Sequence, residues 1–267
     1  SQPLSLATSG DSLIAVGYKN GMLKILKKKT FIITPANTST EEPSSNFITT
    51  LQQGEWETIM ALKAHESPVS DVEFSPKAQT IATSSLDRTS IIWDLEGNKK
   101  KTLIGHQDQI FAHTFDPKNE NRIFTVSEDN SMKEWLLKDF FELEYPKHES
   151  IVRSAIFGND GEYISGSADH QLHTWNSKLK TINNLNTKIN IYDLEKTTDK
   201  QHLLIAGSDG AKIWDFKKSL KWLPAKRGEL YLDIIELDTD LFAACTHRGY
   251  IYIFDKDRII NSFMANK

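Results

Sequence analysis

The chain has 267 residues, 39% hydrophobic, 10% aromatic and 25% charged, with a formal net charge of -4. That balance is too apolar for a disordered chain and too charged for a bundle of membrane spans, and no run approaches the ~18 apolar residues a spanning helix needs. A negative total argues against whole-surface attraction to nucleic acid or anionic membrane. The single cysteine, Cys245, lies in the apolar run 241–245 and cannot form an internal disulfide, and no Cys/His spacing fits a zinc site. A reducing intracellular setting, cytoplasmic or nuclear, follows as the expectation, with no cofactor, no metal and no membrane span. The start, Ser-Gln-Pro-Leu-Ser-Leu, has neither a basic n-region nor an apolar h-region, so no secretory leader is expected there.

In chain order, a short strand is expected near Pro3–Leu6, followed by the apolar run Leu13–Tyr18, an Asn20-Gly21 turn and the run Met22–Leu26. A stretch at about 28–55, rich in Ser, Thr, Asn and Pro, then interrupts the pattern as a loop insertion. It reads as a mobile excursion, or as a hairpin carrying Phe31–Ile33 and Phe47–Ile48 that extends a sheet edge. From Trp56 onward three segments recur. One is an alternating apolar run (Val69–Phe74, Ile110–Phe115, Ile151–Phe157). The next is a small-residue run into a turn (Thr83–Asp87, Thr125–Asp129, Ser165–Asp169, Ala206–Asp209). The last ends on an aromatic: Trp93, Trp135, Trp175, Trp214 and Phe254, spaced 42, 40, 39 and 40 residues apart. His65, His106 and His148 each precede an apolar run by three or four residues.

A period near 40, four short strands per unit, and a frame running from Gly105-His106 to Trp-Asp pairs such as Trp93-Asp94 resemble the WD40-repeat β-propeller family. The resemblance implies an all-β chain forming one propeller domain over 1–267, with six repeats and the insertion between the third and fourth strands of the first blade. The ring is then six-bladed, or seven-bladed with one blade missing upstream of Ser1. It further implies a structural hydrogen-bond network in three units: His65, Thr83, Asp87, Trp93; His106, Thr125, Asp129, Trp135; and His148, Ser165, Asp169, Trp175. A catalytic triad would not be copied once per repeat, so these sets are expected to hold blades together. The fifth unit keeps Asp209 and Trp214 but has no histidine near Leu185. The sixth has Arg248 and Phe254 at the Asp and Trp positions, with Gly228 near the His position.

No phosphate loop, His-Glu-x-x-His, nucleophile elbow or acidic metal cluster is present. The expected role is a non-catalytic protein–protein interaction scaffold or recognition domain, a monomeric propeller within a larger intracellular protein or complex, binding a protein or peptide on its top face. By resemblance, the exposed positions there are Pro68, Ser70 and Leu86; Gln109, Phe111 and Glu128; Ile151, Arg153 and Ala168; Lys188, Asn190 and Ser208; Tyr231, Asp233 and His247; and Lys19. Phe111 breaks the alternation of its strand, and aromatic and Arg side chains concentrate binding energy, so Phe111, Arg153 and Tyr231 lead. The competing reading packs Phe111 and Tyr231 across the central channel. Three other roles compete: a ubiquitin-ligase substrate receptor, although no Arg stands two residues after Trp-Asp in Asp94-Leu95-Glu96; an enzyme using the central pocket; and a nucleic-acid or ribonucleoprotein-associated subunit using Lys27–Lys29 and Lys99–Lys101.

Overall fold

The computed structural model describes residues 1–10, 12–29, 56–138, 141–145, 147–159, 161–176, 181–217, 219–224, 226 and 228–265. These fold entirely as strands and turns, in six four-stranded antiparallel sheets, each a simple meander in chain order. Blade I holds β1 (Pro3–Ser9), β2 (Leu13–Tyr18), β3 (Met22–Lys28) and β4 (Trp56–Lys63). Blade II holds β5 (Val69–Phe74), β6 (Thr80–Ser85), β7 (Thr89–Asp94) and β8 (Lys99–Ile104). Blade III holds β9 (Ile110–Asp116), β10 (Asn119–Ser127), β11 (Met132–Leu136) and β12 (Phe141–Glu144). Blade IV holds β13 (Val152–Phe157), β14 (Tyr163–Ser167), β15 (Gln171–Trp175) and β16 (Thr181–Asn186). Blade V holds β17 (Ile191–Lys196), β18 (Leu203–Gly207), β19 (Gly210–Trp214) and β20 (Leu220–Trp222). Blade VI holds β21 (Tyr231–Asp238), β22 (Leu241–Thr246), β23 (Tyr250–Phe254) and β24 (Ile259–Met264).

From blade I to blade VI, each first strand packs beside the first strand of the next blade, so these strands form the wall of the central channel. Strands β3 and β4 pair directly. Residues 30–55 between them, where the expected insertion and its hairpin alternative fall, lie outside the described residues.

The core lies between blades. Five apolar clusters occupy the five junctions from I–II to V–VI; blade IV's Ile164 and Leu172, for example, pack with blade V's Ile191, Leu194 and Trp214. Glycines on β2 and β14 let the next blade approach: a Cβ on Gly17 would stand 2.6 Å from Cγ1 of Val69. A Cβ on Gly166 would stand 2.5 Å from Cγ2 of Ile191, so the close approach requires glycine there. No cluster among the described residues joins blade VI to blade I. Leu6, three residues into β1, is 65% exposed, whereas its counterparts Val72, Leu194 and Ile234 are 3%, 3% and 1% exposed. Among the described residues six blades are thus present, and nothing packs the sixth against the first.

The β2–β3-type turns share one backbone device. The residue after the turn Asp or its counterpart has positive φ in every blade: Gly21, Gly210 and Gly249, but also Arg88 (72°), Asn130 (69°) and His170 (71°). A side chain pays strain in that region, which Asp87, Asp129 and Asp169 offset by accepting a hydrogen bond from the backbone two residues on.

Candidate functional site: the mouth of the channel

Each chemistry-bearing set the repeats carry is used up inside a blade. In blade II, His65 Nδ1 donates to Asp87 Oδ2 at 2.9 Å, while His65 Nε2 and Thr83 Oγ1 are 2.8 Å apart. The indole of Trp93 donates to that same hydroxyl at 2.9 Å. With a neutral imidazole the donors and acceptors close without remainder: ring N–H to carboxylate, hydroxyl to Nε2, indole N–H to hydroxyl oxygen. Blade III repeats this at 2.8, 2.7 and 2.9 Å through His106, Asp129, Thr125 and Trp135. Blade IV does so at 2.9, 2.8 and 2.7 Å through His148, Asp169, Ser165 and Trp175. Burial holds His148 below its ordinary value and so neutral. Burial works against ionised Asp87, yet hydrogen bonds from His65 and Thr89 hold it at about 2, and Asp129 and Asp169 are held low in the same manner. Thr83, Thr125 and Ser165 are fully buried, so none of the three hydroxyls meets solvent.

The other blades dispense with the network. In blade V, Ile205 stands at the hydroxyl position and Thr187 at the histidine position; the buried Trp214 Nε1 is left without a partner. In blade VI, Ala244 and Phe254 occupy the hydroxyl and Trp positions.

The first strands supply what faces outward. Each of the six first-to-second strand pairings shifts register at the same place, leaving one first-strand residue unpaired: Leu4, Ser70, Phe111, Arg153, Tyr192 and Leu232. A β-bulge turns a side chain away from the alternation of its strand. Here it does so once per blade and at one height, which is the physical reason Phe111 departs from its strand's alternation. Leu4 and Leu232 are 46% and 43% exposed, and the other four are half-buried. Phe111, Arg153 and Tyr192 form a stack across blades III, IV and V, with the guanidinium carbon 4.8 Å from each ring centroid. Ser70 donates its hydroxyl to the Ile110 carbonyl at 2.6 Å. Around this collar lie the residues that precede each turn Asp or its counterpart. Lys19, Leu86, Glu128, Ala168, Ser208 and His247 donate their backbone N–H to Gln2, Pro68, Gln109, Ile151, Asn190 and Leu230.

Below the collar the channel wall is acidic, and its carboxylates stitch neighbouring first strands together. Asp71 accepts from the His113 N–H at 2.9 Å, Glu73 from Phe115 at 3.0 Å and Asp193 from Ile234 at 3.2 Å. First strands have a free inner edge, and these side chains satisfy part of it. Burial raises Asp71; burial, then Asp71, raises Glu73 well above the carboxylate range. Burial, then Asp233, does the same to Asp193, and Glu195 is pushed up to about 7 by burial, Asp233 and Glu236. Among the described residues no group of His, Cys, Asp and Glu is arranged to hold a metal ion.

The structure brings Ser70, Leu86, Phe111, Glu128, Arg153 and His247 together at this mouth, and corrects two positions. Tyr231 is completely buried, its ring tilted against that of Tyr252 and its hydroxyl accepting from the Lys226 N–H at 2.8 Å. Asp233 lies one residue past the bulge, beside Asp193. The collar residues of blades V and VI are instead Tyr192 and Leu232. Without a Gly-His frame, the register there slipped by one or two residues. A readable signal was present in the triplets Ser70-Asp71-Val72, Tyr192-Asp193-Leu194 and Leu232-Asp233-Ile234, which align the bulge in three blades. The lysine run 99–101 is engaged by its own protein: Lys99 lies over Trp93, Lys100 pairs with Asp94 at 2.9 Å and Lys101 reaches the Leu137 carbonyl.

Residues 56–94, 97–135 and 141–176 match the family described as "WD domain, G-beta repeat". The chain is similar to COMPASS component SWD3 of Saccharomyces cerevisiae, 27% identical over 220 residues that cover 73% of this chain and 70% of that protein. It is 34% identical over 119 residues to Protein tipD of Dictyostelium discoideum, covering 43% of this chain and 19% of tipD. It is 26% identical over 144 residues to mitotic checkpoint protein bub3 of the same organism, covering 53% of this chain and 43% of bub3. The chain thus spans less than half of the latter two.

Proposed function

This chain is a WD40-repeat β-propeller, and on that ground we propose that it acts as a non-catalytic interaction module that holds a protein or peptide partner against the mouth of its channel. The observation that carries the reading is the bulge repeated in all six first strands, which presents Leu4, Ser70, Phe111, Arg153, Tyr192 and Leu232 in one collar. Aromatic, aliphatic and Arg side chains grouped at the centre of a face, with polar groups such as Glu128 and His247 around them, have the composition of an interface hot spot. The partly assembled character of relatives supports the same reading: one is a component of COMPASS by name. Reading the chain as non-catalytic rests on the enclosed hydroxyls of Thr83, Thr125 and Ser165, each of which already receives an indole N–H.

The test is affinity capture from cell extract with quantitative mass spectrometry, comparing wild type with Phe111→Ala/Tyr192→Ala. Proteins retained by wild type should be lost by the double variant while its thermal melt stays unchanged. Undiminished capture by a folded variant would remove the collar as the binding face.

A further inference from the structure

We infer that Arg153 is an oxyanion receptor at the centre of the collar, so that the partner docks through an acidic side chain, a carboxylate or a phosphorylated residue. The inference rests on the binding face proposed above and names the chemistry that face selects.

Three other partly buried basic side chains spend their donors on protein oxygens. Arg122 bonds Glu134 and lies 3.6 Å from Asp116; Lys196 bonds the carbonyls of Phe157 and Gly158; Lys212 bonds that of Thr187. Arg153 is different. Its Nε is buried with no acceptor, and among the described residues its polar interactions are the two cation–π contacts with Phe111 and Tyr192. A guanidinium carries five N–H donors in one plane. Leaving the buried Nε donor unmet is costly, while the cation gains from the two aromatic contacts.

Geometry then narrows the ligand. The guanidinium carbon lies over the Phe111 ring and over the Tyr192 ring, 4.8 Å from each centroid, which leaves the N–H edge of the fork as the part of the group for a ligand to approach. The edge is where the N–H bonds point, and it matches a planar carboxylate or two phosphate oxygens in a bidentate pair. The rings also hold the side chain in place, so less rotamer freedom is lost when the anion arrives. The acids of the wall do not take the fork. Asp71, Glu73 and Asp193 are turned to the backbone N–H groups of the next blade, and burial favours their protonated forms, which lessens their repulsion of an incoming anion.

The experiment uses an array of short peptides of varied sequence, each in three versions with Glu, Gln or phosphoserine at its central position, probed with the whole chain. Wild type should retain Glu or phosphoserine members and bind their Gln twins about tenfold or more weakly, the span of a charge-assisted bidentate pair. Arg153→Gln should abolish that preference, and Arg153→Lys, which keeps the charge and loses the fork, should keep part of it. Binding of phosphoserine members alone identifies the anion as phosphate; binding of Glu members as well identifies a carboxylate. Equal binding of all three versions, Gln, Glu and phosphoserine, by wild type overturns the oxyanion role, and if Phe111→Ala/Tyr192→Ala still abolishes that binding, the collar itself stands. Failure of the array to yield any member sensitive to either set of variants overturns both readings. Because the Glu-to-Gln comparison is made on wild type, a misfolded variant does not decide the outcome.

Discussion

Replacing Thr125 by Val tests whether the buried polar networks stabilise the blades. The two side chains have nearly the same shape, and Thr125 is completely buried, so the substitution removes a hydroxyl with little change of volume. That hydroxyl serves two partners at once, the Nε2 of His106 at 2.7 Å and the indole N–H of Trp135 at 2.9 Å. His106 and Trp135 are themselves buried, and both would be left with an unsatisfied polar atom. At about 1–3 kcal/mol for each orphan, the loss should be about 2–5 kcal/mol, less any relief from water entering the site. The measurement is urea unfolding followed by tryptophan fluorescence, with stability taken from the midpoint at unchanged slope. Thr125→Ser, which keeps the hydroxyl as blade IV does with Ser165, should recover most of the loss and retain only the cost of a missing methyl, about 1 kcal/mol. A Thr125→Val protein within about 0.5 kcal/mol of wild type would refute the reasoning, because it would mean that the hydroxyl contributes no more in the blade than it does in water.

Three further outcomes follow from the packing and the channel. Gly166→Ala places a Cβ 2.5 Å from Ile191, which is itself fully enclosed, and should cost about 1–3 kcal/mol by thermal or urea melt; a neutral result would mean the blades slide apart freely. Leu194→Ala should cost about 2–5 kcal/mol, whereas Leu6→Ala at the equivalent place in the open junction should change stability by less than about 0.5 kcal/mol; equal losses would mean that blade I is covered in solution. Glu195, pushed up to about 7, binds more protons folded than unfolded between its ordinary value and pH 7, so its contribution is full at low pH and is lost as pH rises through about 7. Glu195→Gln should therefore gain stability over wild type as pH rises through that window and hold the gain above it. Parallel pH–stability curves would show that the carboxyl is not perturbed.

The fold was legible because its signals are local and repeated: a turn residue five or six positions before an aromatic, and apolar runs of strand length, in the same order five times over. Blades II to IV could be registered from His65, His106 and His148, and the hydrogen bonds there join the residues that the family resemblance implies. The mouth was legible only where that frame exists. Phe111 announced its bulge by breaking alternation, and Arg153 and Ser70 followed from the same register. In blades V and VI, Thr187 stands at the histidine position and Arg248 at that of the turn Asp, so the sequence pattern alone points to Tyr231 as the outward aromatic. Tyr231 is large and sits at a strand start, but the residue that turns outward is decided by hydrogen-bond register, which depends on pairing with β22. The exposure of Leu6 was not legible, because it required knowing which faces meet.

The blades without a network show how such sets can be given up, and one of them is only partly converted. Blade VI has lost hydroxyl and indole together, as Ala244 and Phe254, and blade I carries Val16 and Leu26 at the same two places, so neither has an indole N–H to satisfy. Blade V has replaced the hydroxyl with Ile205 but kept Trp214, whose N–H is buried without a partner. Removing both members of a buried hydrogen bond is nearly neutral, while removing one carries the full desolvation cost of the other. Trp214→Phe, the residue blade VI already has, deletes the orphan and gives up part of an indole's packing; relief of about 1–3 kcal/mol then offsets a packing loss of similar size. Trp135→Phe in blade III makes the same loss of area and also breaks a bond to Thr125, with no orphan to relieve. By calorimetry, the blade III variant should therefore be the less stable of the two by about 1–3 kcal/mol. Equal destabilisation would mean that the Trp214 N–H already finds water, and that blade V is more open than its packing implies.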